Sequence, residues 1–88
     1  MRLFYPMKRE DIENKINDFL VEEFEIEGSK ISPGAHLKND LGLESLDFVD
    51  IAVIVQKEFG LTLKGEEMTA IHTLQNLYDY IDTFYNKK

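Results

Sequence analysis

Apolar residues recur at three- and four-residue intervals in three long stretches of this chain and one short one, a spacing that lines one face of a helix. In the first stretch, Met7 to Glu25, they are Ile12, Ile16, Phe19, Leu20 and Phe24, with Glu10, Asp11, Glu13, Asn14, Asp18 and Glu22 on the opposite side. The second begins at Ser45 and ends at Phe59, where Gly60 stops it. Its apolar residues fall on two faces. Phe48, Ile51, Ala52, Val55 and Phe59 make a core stripe, and Leu46, Val49 and Val53 make a narrower second one, with Asp47 and Asp50 beside it. A helix that is merely solvated on its outer side has no need of that second stripe.

The short stretch, Gly65 to Ile71, reads as a helix with Glu66 and Glu67 in its first turn and Met68 and Ile71 turned inward. The last is capped by Thr73 and carries Leu74, Leu77, Tyr78, Ile81 and Phe84 or Tyr85 on its inner face, with Lys87 and Lys88 at its negative end. The expected fold is all-α. It is a small four-helix bundle of three longer helices and one short one, with a long loop between helices one and two.

That loop, Gly28 to Glu44, is punctuated by Gly28, Pro33 and Gly34 and pinned by Ile31, Leu37, Leu41 and Leu43. Ser32-Pro33 opens a single turn within it. Leu61 to Lys64 alternates like a short strand, but the chain offers no second strand to pair with it, so no strand is expected. Residues 1–6 break the helical pattern at Pro6 and form an N-terminal extension, leaving 7–88 as the domain.

Charge changes the picture by exclusion. Ten basic and seventeen acidic residues give a net charge of −7, which repels phosphate backbones and anionic lipid and attracts basic partners. Nucleic acid is not an expected ligand. No cysteine is present, so disulfides, thiolate metal sites and a cysteine nucleophile are ruled out together, and a reducing cytoplasm suits the chain. The opening residues are too short an apolar run for a signal segment or membrane span.

Candidate chemistry is equally sparse. His36 lies in the loop and His72 beside a helix cap, neither with a second ligand at metal spacing. Asp40 to Asp50 alternates acids superficially, but a calcium loop wants glycine at its sixth position, and in that register the residue is Ser45. No glycine-rich phosphate cradle is present. A serine before a helical apolar pattern is the expected N-cap, and this is the plain reading of Ser45.

D-L-G-L-E-S-L-D, Asp40 to Asp47, gives Ser45 a second reading, because here the chain resembles the acyl carrier proteins. The order of elements from about Met7 to Tyr85 follows that family too. The resemblance implies that Ser45 carries 4′-phosphopantetheine, attached covalently from coenzyme A by a phosphopantetheinyl transferase. Acyl groups would then ride on the arm as thioesters, and the chain would act as a substrate and not as an enzyme. It further implies partner recognition through Glu44, Leu46, Asp47, Val49, Asp50, Val53, Gln56 and Lys57. The partners would be acyl-transferring, ketosynthase- or ligase-type enzymes with basic docking surfaces. An acyl-chain pocket would draw on Phe48, Ile51, Ile54, Val55, Phe59, Ile71 and Tyr78, which on the plain reading are core. A cytoplasmic monomer is expected.

Two departures stand out. Glu44 replaces the family's usual aspartate and keeps its charge. Gln56 and Lys57 interrupt an acidic strip, which points to a dedicated lipid- or polyketide-type pathway in preference to general fatty acid synthesis. A free-standing aminoacyl or peptidyl carrier and an unmodified acidic interaction module are the alternatives.

Overall fold

The computed structural model describes residues 7–86. Four α-helices follow one another: α1 (Arg9–Phe24), α2 (Ser45–Phe59), α3 (Gly65–Met68) and α4 (Leu74–Tyr85), with a single 3-10 turn at Gly28–Lys30. No strand forms among the described residues, so the all-α bundle of three longer helices and one short helix stands as expected. The extension at residues 1–6 and the expected cations Lys87 and Lys88 lie outside the described residues.

The inward stripes are those the periodicity marks. Ile12, Ile16, Phe19 and Leu20 of α1, Ile51, Val55 and Phe59 of α2, and Leu74, Leu77, Tyr78 and Ile81 of α4 close into one core. Phe24, Phe48, Ala52 and Tyr85 pack against its edge, while Phe84 stays exposed. Arg9 ties α1 to α4 from outside, with its guanidinium 2.7 Å from Asp79 and 3.3 Å from Asp82. Inside, the Tyr78 hydroxyl donates to Asn17 of α1.

Helix ends deviate from expectation for local reasons. α1 stops at Phe24 because Glu25 turns left-handed (φ 55°), and the Ile26 N–H then donates to the Leu20 carbonyl, tucking Ile26 into the core. α3 ends at Met68, short of Ile71. The Ala70 and Ile71 N–H groups bond to Glu67 and Met68, three residues back, which tightens the chain out of the α-helix. Leu61 and Leu63 are buried and Thr62 and Lys64 exposed, so the alternation of that segment is real, although the backbone is a connection and not a strand.

The long loop is an ordered strap. Leu37, Leu41 and Leu43 are buried, Ile31 is half-buried, and Ala35, which no periodicity marks, is buried beside them. The Ala35 N–H closes the turn that Ser32 opens. The strap is then laced to the segment before α4. Leu37 N–H donates to the His72 carbonyl at 2.9 Å, Leu74 N–H to Ala35 at 2.9 Å and Gln75 N–H to Pro33 at 2.8 Å. Gly42, in a left-handed conformation at φ 73°, then turns the chain toward Ser45.

Candidate functional site

The start of α2 differs from the sequence expectation. Ser45 is the first helical residue and not the cap. Glu44 takes the capping position in extended conformation, and its N–H donates to the Asp47 carboxylate at 2.8 Å. The carbonyl of Glu44 accepts from the N–H groups of Asp47 and Phe48. An acid pair spaced three apart closes the helix end in the manner of a capping box. Ser45 is exposed. Its hydroxyl sits next to the positive end of the helix dipole, where first-turn N–H groups favour an anion.

Along the outer side of α2, Leu46, Val49 and Val53 are 78%, 60% and 63% exposed, a continuous apolar strip beginning one residue from Ser45. Glu44, Asp50, Gln56 and Lys57 are exposed and Asp47 half-buried. Lys57 and Ile54 face a different neighbour. With Lys15 and Glu58 they line a cleft of about 230 Å³ shared with Asp18, Phe19, Glu22 and Glu23 of α1.

Beside Ser45 opens a larger cleft of about 470 Å³, bounded by α2, the strap and the segment from Met68 to His72. Of the residues expected to line an acyl pocket, Phe48 and Ile71 do so here, together with Val49 and Met68. Ile51, Val55, Phe59 and Tyr78 are at most 3% exposed and belong to the closed core. Helical periodicity separates inward from outward positions, but it does not distinguish a core wall from a cleft wall.

Sequence reasoning missed the cleft's remaining members. His36 and His72 stack across it, ring centroids 6.2 Å apart and planes 25° from parallel, with Lys38 and Thr69 alongside. No spacing rule joins two histidines so far apart in the chain; the strap's bonds to His72 and Leu74 bring them together. His36 is oriented by its own turn, its Nδ1 accepting from the N–H groups of Lys38 (3.2 Å) and Asn39 (3.1 Å). Among the described residues no group of three or more ligating side chains is arranged for a metal ion, and no helix is long and apolar enough to cross a membrane.

Comparison with known proteins gives the family of the chain. A family profile described as "Phosphopantetheine attachment site" matches residues 14–81, which take in α1 from Asn14 onward, the strap, all of α2 and α3, and α4 as far as Ile81. The curated acyl carrier protein of Porphyromonas gingivalis is 32% identical over 72 residues, covering 82% of this chain and 92% of the relative. The acyl carrier protein from a second strain of that organism matches to the same extent. The chain thus belongs to the acyl carrier protein family, as a carrier that bears covalently attached 4′-phosphopantetheine and not as a catalyst.

Proposed function

We propose that Ser45 is the attachment residue and that the chain hands acyl groups among the enzymes of a dedicated biosynthetic pathway. The observation that carries this reading is the position of Ser45: exposed, first in α2, relieved of capping by Glu44 and Asp47, and at the edge of a cleft. The residues present suit a phosphodiester there. Helix dipole and Lys38 favour its charge, and Glu44 and Asp47 oppose it in part.

In the attachment step the Ser45 oxygen bonds to the pantetheine-side phosphorus of coenzyme A. The pyrophosphate bond breaks, the adenosine bisphosphate leaves, and the serine proton passes to a base of the transferase, which also supplies magnesium. The arm supplies a terminal thiol for thioesters, a group this cysteine-free chain lacks. Leu46, Val49 and Val53, edged by Asp47 and Asp50, dock partners that offer an apolar patch rimmed by basic residues. Aromatic or aliphatic anchors fill such strips, and the charges govern encounter rate and selectivity. The cleft over Phe48, Val49, Met68 and Ile71 receives the acyl chain. A longer chain reaches Ile51, Val55, Phe59 and Tyr78 only if α2 moves away from its neighbours.

Gln56 supports the dedicated pathway, since a charge missing at the outer end of the strip changes which basic partners are favoured, whereas Lys57 lies in the cleft toward α1. The carrier works as a cytoplasmic monomer. The test is the intact mass of the wild type and of Ser45→Ala after incubation with coenzyme A, magnesium and a broad-specificity phosphopantetheinyl transferase. One phosphopantetheinyl addition on the wild type alone is expected. An equal addition on Ser45→Ala, or none on the wild type even with its own cell's transferase, overturns the assignment. Equal elongation rates by housekeeping fatty-acid enzymes on this carrier and on their own would overturn the dedicated pathway.

A further inference from the structure

Seventeen acidic residues are spread along the chain, yet none lines the cleft beside Ser45. The cleft between α1 and α2 shows how unusual that is for this molecule, because it holds Asp18, Glu22, Glu23 and Glu58 against two lysines. The ionisable side chains of the Ser45 cleft are all nitrogen-bearing: His36, Lys38 and His72. The Thr69 hydroxyl is occupied, donating to the Glu66 carbonyl at 2.6 Å. His36 Nδ1 is occupied as an acceptor, which leaves Nε2 as the ring's hydrogen-bearing nitrogen, and Lys38 brings an ammonium with three donors.

Depth orders these groups. Ile71 is buried at the floor; Phe48, Met68 and His36 are half-buried; Ser45, Lys38, Thr69 and His72 are exposed at the lip. A plain hydrocarbon chain satisfies the floor but covers the half-buried His36 ring with nothing that accepts from it and gives the exposed Lys38 and His72 no partner in place of water, and a covered donor without a partner costs free energy. A chain with an oxygen along its length satisfies both. The arm's own phosphate would be bound to the Ser45 oxygen at the lip, whereas His36 sits deeper.

Resting on the assignment of Ser45 as the attachment residue, we propose that this cleft selects acyl groups carrying an acceptor oxygen beyond the thioester carbonyl. A carboxylate, a 3-oxo or a hydroxyl group qualifies, received by His36, Lys38 and His72. These three are specificity-determining residues of the cargo site. The contact is non-covalent, so reduced and oxygen-bearing cargo are distinguished by occupancy of the cleft and not by any reaction there.

The experiment loads the full chain from butyryl-, 3-oxobutyryl- and succinyl-coenzyme A with a broad-specificity transferase and confirms each load by intact mass. It then records the imidazole signals of His36 and His72 by nuclear magnetic resonance, with the melting temperature of each form. Relative to the form bearing only the arm, the succinyl and 3-oxobutyryl forms should shift both imidazole signals and melt higher, while the butyryl form leaves the imidazole signals in place. Lys38→Met, at an exposed position, should keep the fold and lose most of the succinyl increment. His36→Gln adds a second probe, read only if its circular dichroism matches the wild type. Equal shifts with butyryl overturn the proposal. Full shifts in the form without cargo also overturn it, since the oxygens would be those of the arm's phosphate. Failure to add any arm shows in the mass before cargo is compared, and that result strikes the Ser45 assignment itself.

Discussion

Helices α2 and α4 are of similar length and share one core, but they spend their side chains differently. α4 turns Leu74, Leu77, Tyr78 and Ile81 inward and uses the Thr73 hydroxyl to cap itself, accepting from the Asn76 N–H at 3.2 Å while Asn76 accepts from Thr73 at 3.1 Å. α2 buries Ile51, Val55 and Phe59, leaves Leu46, Val49 and Val53 outside, and hands its capping to two carboxylates. Nearly everything α4 has goes into holding the bundle together. α2 keeps a hydroxyl and an apolar strip in reserve, and groups withheld from stability are the ones available to partners.

Substitutions that treat the two helices alike should therefore give unlike results. The largest contrast is between Leu77→Ala and Val53→Ala. Leu77 is 1% exposed, and its truncation should cost about 2–5 kcal/mol by removing buried surface and leaving a cavity. Val53→Ala should change stability by less than about 0.5 kcal/mol. Urea unfolding of both variants checks the pair, and a Val53→Ala cost approaching that of Leu77→Ala would mean the outer strip is structural after all.

A smaller contrast lies at the two hydroxyls. Thr73→Ala should lose about 1 kcal/mol, the usual worth of a cap, while Ser45→Ala should stay within about 0.5 kcal/mol and lose phosphopantetheinylation altogether. Equal losses in denaturant titrations would restore Ser45 to a capping role. The smallest effect is alkaline and belongs to α4. Burial, with the nearby charge of Glu13, pushes the Tyr78 hydroxyl up to about 12, against the pull of Asn17 and Arg9. With its folded value above the unfolded value of about 10, Tyr78 contributes stability that is present below pH 10 and lost as the pH rises through about 12. Tyr80, raised to about 12 by burial and by its bond to Glu67, acts in the same window. Stability followed from pH 9 to 12 should fall less steeply in Tyr78→Phe than in the wild type; identical slopes would count against this account.

Much of the bundle was legible in the chain because the core stripes of α1, α2 and α4 obey a local period. Thr73 was legible as a cap, and so was the double stripe of α2. Ser45 was misassigned as a cap because a serine and an acid compete for that position, and Glu44 paired with Asp47 three residues on prevails. The end of α1 was legible to within a residue, but not its left-handed Glu25, a conformation uncommon for glutamate that here leads Ile26 into the core. The histidine pair and the cleft depend on contacts between distant parts of the chain, which no periodicity records.

The strap that carries Ser45's approach is fastened by carbonyls of Pro33 and Ala35 to N–H groups of Gln75 and Leu74. During synthesis, the attachment loop is made long before its fasteners. Until residues 71–75 have been added, the strap lacks these backbone partners, and the cleft lacks Ile71 and His72. Contacts across such a separation carry a loop-closure cost that local helical contacts do not. A chain that stops before residue 71 would have the serine but neither Ile71 nor His72 of the cleft beside it.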